Sequence, residues 1–462
     1  MRWNRTWTSV FVLGCVLLIA PLIAACGGGK SSADKTATAQ AKATTPSTPA
    51  PGTTPQGTGT PQKAGAVSVL GIWGAGELDS FNAMVAPWQQ QTGGTVEFTG
   101  SRNITSDLTL RVQGGNPPDI AIPAEIGLFK QFASQGKLAK LSDCPGLEQA
   151  VKSDYSSSFQ DFGSVNGVLY GFPMKVDAKA NIWYNPKTFS DKGFKTLNTS
   201  NTFDDLITLS NTIMAAGLPP WSMGMQAGPG ADGFPGADWI DQLILTDYGA
   251  SVYDGFIDGS IPFTDPRMAA AWQQFGQIAL TPGYVMQGGA AAINATNFQD
   301  ATFPPFASPP MAAMVFEGSF ASGFITGQFP NAVPGTDFNF FPWPGGGNGG
   351  VTGGANIVYA FDSSPSTCSL MSWLESAAAQ TIWVERGGFH SVNNKVNLSA
   401  YPNSVEKAVA QQLQSASPFR FSLDDAIGGA LETTWFAGVG QYLATPGQLD
   451  SILANIEAQR GH

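Results

Sequence analysis

The sequence has 462 residues and a formal net charge of −11 at pH 7. A negative surface repels phosphate backbones and anionic lipid headgroups, so the charge argues against nucleic acid as a partner and against binding to a membrane surface by charge. Charged residues make up only 12% of the chain, below the usual quarter, which together with 55 glycines and 32 prolines predicts a polar, turn-rich surface.

Residues 1–25 have the pattern of a secretory signal peptide. Arg2 and Arg5 give a positive start, and the apolar run that follows is about 16 residues long, short of the roughly 20 that a spanning helix needs. The run ends in small residues before Cys26, and this stretch resembles a bacterial lipobox, in which the cysteine is acylated. We therefore expect Cys26 to anchor the chain to the outer face of the membrane. A plain secretory signal with a chance cysteine is the alternative.

Residues 26–65 are rich in Ser, Thr, Pro, Gly, Ala and Lys and show no apolar periodicity. Such a segment cannot bury enough apolar surface to offset the entropy of ordering, so it is predicted to be a disordered tether. A flexible coil of this length has an end-to-end distance of about 35 Å, which would let the folded part stand away from the bilayer.

From residue 66 onward the chain is long enough for two lobes. Its first part has the periodicity of strand, helix, strand, helix and strand, at 67–73, 77–91, 95–98, 107–112 and 119–122. This alternation is typical of an α/β layer with a parallel sheet, whose ligands lie at the carboxyl ends of the strands. The loops that begin at Trp73 and Pro123 should therefore share a cleft.

The rest of the chain continues the α/β pattern. Extended segments are predicted at 168–173 and 181–186, and the predicted helices are at 203–216, around Trp239, and at 265–278, 369–384 and 405–413.

Four cysteines occur, of which Cys15 lies in the predicted signal and Cys26 in the lipobox. Cys144 and Cys368 are left. Two thiols in an oxidising compartment most often pair, so a disulfide is favoured over two independent buried cysteines.

The residues needed for most enzyme chemistry are missing. Only His390 and His462 are histidines, and no HExxH, CxxC pair or P-loop occurs, so no metal site or cofactor is expected. The acidic pairs Asp204-Asp205 and Asp424-Asp425 could in principle serve a glycosidase, but adjacent acids on a helix are more often a cap and a solvated face. We expect that the chain is not an enzyme.

Aromatic residues stand in the predicted loops, several beside Gly or Pro and an acid. A flat ring can stack on the apolar face of a sugar while carboxylates and amides bind its hydroxyls. Core packing is the alternative interpretation of each tryptophan. The aromatic candidates are Trp73, Trp221, Phe234, Trp239, Phe320, Trp343 and Trp435.

Several motifs occur in an order that resembles the extracellular solute-binding proteins of ABC importers, in particular the carbohydrate-binding family that includes maltose-binding protein and its alpha-glucoside branch. The motifs are GGNPPDIA at 114–121, LYGFP at 169–173, WYNP at 183–186, GADWI at 236–240, AMVFEGSF at 313–320 and TWF at 434–436. The resemblance implies a monomeric two-lobe α/β fold of the type II periplasmic-binding class, with a hinge and a ligand cleft between the lobes. It also implies delivery of the bound carbohydrate to a membrane permease.

The resemblance also implies the site residues. Trp73 and Glu77 follow the first strand and Glu125 follows the third, where the family contacts its sugar. Asp177 falls at a hydroxyl-binding carboxylate, with Lys179 as a competing candidate because the chain has one extra residue there. Phe320 and Trp435 align with tryptophans that stack on the sugar. In the alpha-glucoside branch, Phe234 replaces a tryptophan, and Trp221 belongs to a Pro-Trp pair. Asp238 and Trp239 belong to the GADWI motif.

By similarity, one lobe is expected at 66–175 with 353–388 and the other at 176–352 with 389–462. Gly353-Gly354 and Gly387-Gly388 are expected at crossings between lobes, because glycine tolerates changes of backbone dihedral. A glucose-containing mono- or oligosaccharide is the expected solute. A polyamine, peptide or metal complex in the same fold is the alternative, followed by an extracellular enzyme or a structural protein.

Overall fold

A computed structural model describes residues 64–101 and 103–461. The predicted signal peptide, Cys26 and nearly all of the predicted tether lie outside these residues. Among the described helices, none combines the length and the apolar character needed to cross a membrane.

The described strands form two main sheets and one hairpin. The first sheet has the order β12-β11-β3-β1-β2 with β6 also paired to β11, the second has the order β10-β7-β9-β8, and β4 pairs with β5. The strands are β1 (Ala66–Gly71), β2 (Thr95–Gly100), β3 (Ile120–Ile122), β4 (Ser164–Val165), β5 (Val168–Leu169), β6 (Gly171–Ala178), β7 (Asn181–Tyr184), β8 (Trp221–Ser222), β9 (Met314–Glu317), β10 (Asn339–Pro342), β11 (Val351–Ala360) and β12 (Phe419–Phe421).

Helices surround both sheets. They are α1 (Ala75–Thr92), α2 (Ile104–Gln113), α3 (Ile126–Ser134), α4 (Leu147–Asp154), α5 (Ser157–Phe162), α6 (Pro186–Lys192), α7 (Phe203–Ala215), α8 (Phe234–Tyr248), α9 (Ala250–Asp258), α10 (Pro266–Ala279), α11 (Ala290–Ala295), α12 (Phe298–Thr302), α13 (Ala321–Gln328), α14 (Pro365–Glu375), α15 (Ala377–Val384), α16 (Ser404–Ser415), α17 (Leu423–Ile427), α18 (Gly429–Ala444) and α19 (Leu449–Ala458).

The predicted parallel layer is confirmed. β1 lies between β2 and β3 and is parallel to both, with Val69 opposite Phe98 on one side and Ile120 on the other. Its apolar side chains are buried because helices cover the sheet, as the near-continuous apolar sequence of β1 and β3 requires. The loops after β1 and β3 therefore begin at the same edge of the sheet.

The predicted helix at 369–384 is wrong in one respect, because it is two helices. α14 ends at Glu375 and α15 begins at Ala377, with Ser376 in extended conformation between them. The Ser376 hydroxyl accepts a hydrogen bond from the Ala379 backbone amide at 3.2 Å, so it caps the second helix. The sequence pattern does not show this break, because the helices on both sides of it bury apolar side chains.

The chain passes between the two sheets at short connections. β6 ends at Ala178 in the first sheet and β7 begins at Asn181 in the second. Gly353 lies inside β11, opposite Ala178, where a Cβ would come within 2.2 Å of the Asp177 carbonyl oxygen. Glycine at 353 thus permits close approach of two strands. Gly387 and Gly388 have φ of +87° and +70°, a conformation that favours glycine.

Cys144 and Cys368 form a disulfide in the structure, with their Cα atoms 5.1 Å apart. Cys144 immediately precedes the loop into α4, and Cys368 lies in α14. The bond closes a loop of 224 residues, so it removes many conformations from the unfolded chain.

We expect the double substitution Cys144→Ser with Cys368→Ser to lower the free energy of unfolding by about 2–5 kcal/mol, because the open chain gains conformational entropy on unfolding. Urea unfolding of the two proteins measures the difference. Unfolding midpoints that coincide would show that the disulfide does not stabilise the fold.

Candidate functional site

Polar residues converge where the first sheet meets the second. Lys175 and Asp177 lie on β6, and the Lys175 ammonium is 2.8 Å from Asp177 Oδ2 and 3.9 Å from Glu77 Oε1. Burial alone would lower the pKa of Lys175, but the carboxylates of Asp177 and Glu77 outweigh it and raise that pKa. Lys175 therefore stays charged although its side chain is only 7% exposed.

A second ion-pair group lies at the end of β6. The ammonium of Lys179 is 3.1 Å from Asp238 Oδ1 on α8 and 3.2 Å from Asp425 Oδ2 on α17. Burial would lower the pKa of Lys179, but these carboxylates hold it well above its ordinary value. One cation thus joins the end of a sheet strand to two helices.

Asp177 also belongs to a buried network with His390. The Ser319 hydroxyl donates to Asp177 Oδ1 at 2.9 Å, and His390 Nδ1 lies 3.9 Å from the same oxygen. On the other side of the ring, His390 Nε2 is 2.8 Å from Glu406 Oε2 of α16. Burial would lower the pKa of His390, but Glu406 and Asp177 outweigh burial and raise it to about 9.

Carboxyl groups from the loop after β3 and from the start of α18 complete the polar part. Burial raises the pKa of Glu125, and the charge of Asp425 raises it further. Burial, followed by the charges of Asp425, Asp424 and Glu125, raises the pKa of Glu432 to about 9. Glu125 immediately precedes α3 and Glu432 lies near the start of α18, and both helices contact α17, which carries Asp424 and Asp425. With a pKa of about 9, Glu432 is protonated at neutral pH.

Four phenylalanines form an aromatic patch beside these charges. Phe234 packs on Phe298 with ring centroids 5.0 Å apart, Phe298 lies 6.5 Å from Phe320, and Phe324 contacts both Phe298 and Phe320. All four rings are half-buried. The Lys179 ammonium lies 5.9 Å from the Phe234 ring centroid, so this phenylalanine patch adjoins the polar residues.

The sequence-predicted tryptophans lie elsewhere, and this corrects their expected role. Trp73, Trp221, Trp239 and Trp435 are 0–2% exposed, so none presents a ring face to solvent in this structure. Trp435 packs between Phe263 and Trp272, with centroids 5.2 and 5.4 Å away. Trp73 packs likewise on Phe81 and Trp383, and Trp221 on Trp239. Their position in the core follows from their large apolar area, which outweighs the proximity of Gly and Pro in the sequence.

Seven predicted residues are brought together. They are Glu77, Glu125, Asp177, Lys179, Phe234, Asp238 and Phe320. Sequence reasoning missed Lys175, His390 and Glu432 as members of the same region, since nothing in their local sequence indicates it.

The interpretation of Asp424-Asp425 as a cap and a solvated face is wrong. Asp424 is fully buried and Asp425 pairs with Lys179. The pair lies at the start of α17, where the helix contacts α8, α9 and α18.

A cavity of about 420 Å³ lies next to this region, between α3, α5, α9 and β12. Ile126 and Ala426, the neighbours of Glu125 and Asp425, contribute to its wall. Its polar side chains include Lys130, which burial gives a lowered pKa, and Arg420, which pairs with Asp254. The predicted polar residues pack against one another beside this cavity rather than lining it.

Two α/β sheets joined by short crossings, with charged and aromatic side chains gathered where they meet, define a two-lobe binding protein of the periplasmic type. The chain belongs to the bacterial extracellular solute-binding protein family, whose sequence profile matches residues 74–381. Its family and structural neighbours are binding proteins rather than enzymes, and they face the outside of the cell membrane.

Relatives and structures support this assignment. The chain is 30% identical over 383 residues to the alpha-glucosides-binding periplasmic protein AglE of Rhizobium meliloti, covering 80% of this chain and 81% of the relative. It is 27% identical to the osmoprotective compounds-binding protein GgtB of Synechocystis, covering 82% and 88%. A chitin oligosaccharide binding protein has the same fold, with a TM-score of 0.71 at 18% identity over 85% of this chain and 98% of that one.

We expect Trp435→Ala to lower the free energy of unfolding by about 3–5 kcal/mol, because it leaves a cavity among buried aromatic rings. Chemical denaturation measures the loss, and Trp435→Phe is the matched control with a smaller effect. An alanine variant as stable as the wild type would contradict the core assignment.

The raised pKa of His390 predicts that the stability of the fold depends on pH. Its folded pKa of about 9 exceeds the ordinary 6.5, so its contribution is fully present below about pH 6.5 and is lost as the pH rises through about 9. The difference in unfolding free energy between the wild type and His390→Gln should therefore shrink over this window. Glu432 titrates in the same direction, which is why the readout is the difference between the two proteins. A difference that is constant with pH would disprove the assignment.

Proposed function

We propose that this chain is the solute-binding component of an ABC importer and that it captures a glucose-containing mono- or oligosaccharide. The binding site consists of the phenylalanine patch together with the charged groups at Lys179 and Asp177. The solute is enclosed between lobes at 66–175 with 353–388 and 176–352 with 389–462. A lipid at Cys26 holds the chain at the outer face of the membrane, from which the loaded protein delivers its solute to the permease.

The observation that carries this proposal is the half-buried phenylalanine patch beside a buried ion-pair group. Phenyl rings present apolar faces on which the C–H face of a pyranose can stack, while carboxylates and ammonium groups exchange hydrogen bonds with its hydroxyls. The alpha-glucosides-binding relative supports a glucose-containing solute.

Asp177 and Asp238 would accept hydrogen bonds from the hydroxyls of the solute. Asp177 and Asp238 are ionic acceptors held in place by Lys175 and Lys179, so they favour solutes that offer hydroxyl donors at fixed positions.

A cationic solute is the second candidate. Lys179 pairs with Asp425, and Glu125 and Glu432 add two further carboxyls whose pKa values the charge of Asp425 raises, so this end of the site carries an excess of acid. A positively charged amine would neutralise these carboxylates, so they could stay ionised in the complex.

A thermal-shift screen of the chain from residue 66 separates the two candidates. Alpha-glucosides, other mono- and oligosaccharides, polyamines and short peptides are tested side by side, since a ligand raises the melting temperature as RT ln(1 + [L]/Kd). A saturable rise with a sugar supports the first proposal, and a rise with polyamines alone replaces it by the second. The absence of a rise with any sugar would reject carbohydrate binding.

We expect Phe320→Ala to weaken affinity for the sugar found in that screen by about thirtyfold, the scale of an aromatic anchor. Isothermal titration calorimetry measures the affinity. Phe329→Ala is the matched control, because Phe329 is also half-buried but packs on Phe303, outside the phenylalanine patch. Equal affinities of the Phe320→Ala variant and the wild type would remove Phe320 from the site.

A further inference from the structure

Three carboxylates, one of which pairs with Lys179, lie close together between α8 and α17. Asp238 and Asp241 are on α8 and Asp424 is on α17, and one oxygen atom from each lies within 4.8 Å of the other two. Two ligands of one calcium ion, each about 2.4 Å from it, are at most about 4.8 Å apart. The spacing of these oxygens is therefore within the range that a single cation can bridge.

The three side chains are enclosed in the protein. Asp238 is 2% exposed, and Asp241 and Asp424 are 0% exposed. Asp238 and Asp241 are three residues apart on one helix, so they share a face of α8 directed at α17. The group is held on two elements that contact each other, which fixes the relative position of its members.

The positive charge near this group is insufficient. Lys179 pairs with Asp238 and with Asp425, so it is shared between two acids. In the part of the chain that the structure describes, no lysine, arginine or histidine forms an ion pair with Asp241 or Asp424. Buried carboxylates without a counter-charge are strongly unfavourable, so either a positive charge or a proton must compensate them.

The hydrogen bonds of the carboxylates point to where that charge belongs. Asp241 Oδ2 accepts from the Leu423 amide and Asp424 Oδ1 accepts from the Asp425 amide, both at 2.7 Å. The second oxygen of each, Asp241 Oδ1 and Asp424 Oδ2, is fully buried and has no hydrogen-bond partner among the described residues. These two unpartnered oxygens are an observation independent of the clustering of acids, because most buried acceptors are satisfied.

We propose that Asp238, Asp241 and Asp424 bind a divalent cation with hard-ion chemistry, of which Ca²⁺ is the first candidate. All three ligands are carboxylates, and neither a histidine nor a cysteine takes part, which disfavours zinc and copper and favours calcium or magnesium. The cation would neutralise the excess of acid and join α8 to α17. It would thus fix the two helices that supply the partners of Lys179.

Shared protons are the competing explanation. Burial, followed by the charge of Asp424, raises the pKa of Asp241 well above its ordinary value. Burial also raises the pKa of Asp424 well above its ordinary value, although the charge of Lys179 opposes it. Carboxyls that keep their protons at neutral pH would need no metal. The two explanations can be distinguished, because only a bound cation makes stability depend on the free cation concentration.

The test uses the mature chain, treated with EDTA and then titrated with Ca²⁺ or Mg²⁺ at pH 7 while the melting temperature is recorded. Tb³⁺ luminescence is measured in parallel. Tyr253 can sensitise it, because the Tyr253 hydroxyl donates to the Phe421 carbonyl at 2.8 Å, three residues before Asp424. We expect a saturable rise in melting temperature with Ca²⁺ and a Tb³⁺ signal that Ca²⁺ displaces.

Asp241→Asn and Asp424→Asn should each weaken Ca²⁺ binding at least tenfold. Asp247→Asn, which removes the same charge from an exposed position of α8, should leave it unchanged. The wild-type titrations need no variant, so the proposal remains testable if a variant does not fold. No Ca²⁺ or Mg²⁺ response in the wild type overturns the proposal, as does a response of equal affinity in both variants. Stabilisation by Asp241→Asn without any cation response would establish shared protons.

Discussion

The buried ammonium of Lys179 joins the first sheet to two helices of the candidate site. It follows β6 directly, at the point where the chain leaves the first sheet for the second, and it contacts carboxylates of α8 and α17. Removing one partner of a buried ion pair leaves an uncompensated charge, so the three elements can separate only at a large energetic cost. The same contacts place Phe234, at the start of α8, beside the charge.

The β6–β11 ladder provides the frame on which this ion-pair group is built. The two antiparallel strands pair from Gly171 opposite Tyr359 to Ala178 opposite Gly353, with a shift of register at Asn356 and Ile357. Side chains alternate along β6 beyond this shift, so Lys175 and Asp177 lie on one face and Val176 and Ala178 on the other. Val176 and Ala178 are 0% exposed, whereas Lys175 pairs with Glu77 of α1 and Asp177 accepts a hydrogen bond from Ser319, which follows β9 of the second sheet.

The sequence predicted the fold well because periodicity and strand order are local signals. The alternation over 66–122 and the paired cysteines lie where expected. Seven of the predicted polar or aromatic residues lie near one another, and their contact with a solute stays a prediction. The tryptophans show the limit of this reasoning, since a Trp beside Gly or Pro has the same local sequence whether its ring lines a pocket or fills the core. Lys175, His390 and Glu432 come from three distant segments, so only the tertiary structure could bring them into one group.

The protonation of Glu432 bears on the kind of solute that the proposed site would select. With a pKa of about 9, its carboxyl both donates and accepts a hydrogen bond at neutral pH, whereas Asp177 only accepts. A sugar hydroxyl also donates and accepts, so a site that contains both kinds of carboxyl can match the direction of each hydroxyl bond. A polyamine only donates, and its charge would lower the pKa of Glu432 and release that proton. Proton release on binding therefore distinguishes the two solute classes at this one residue.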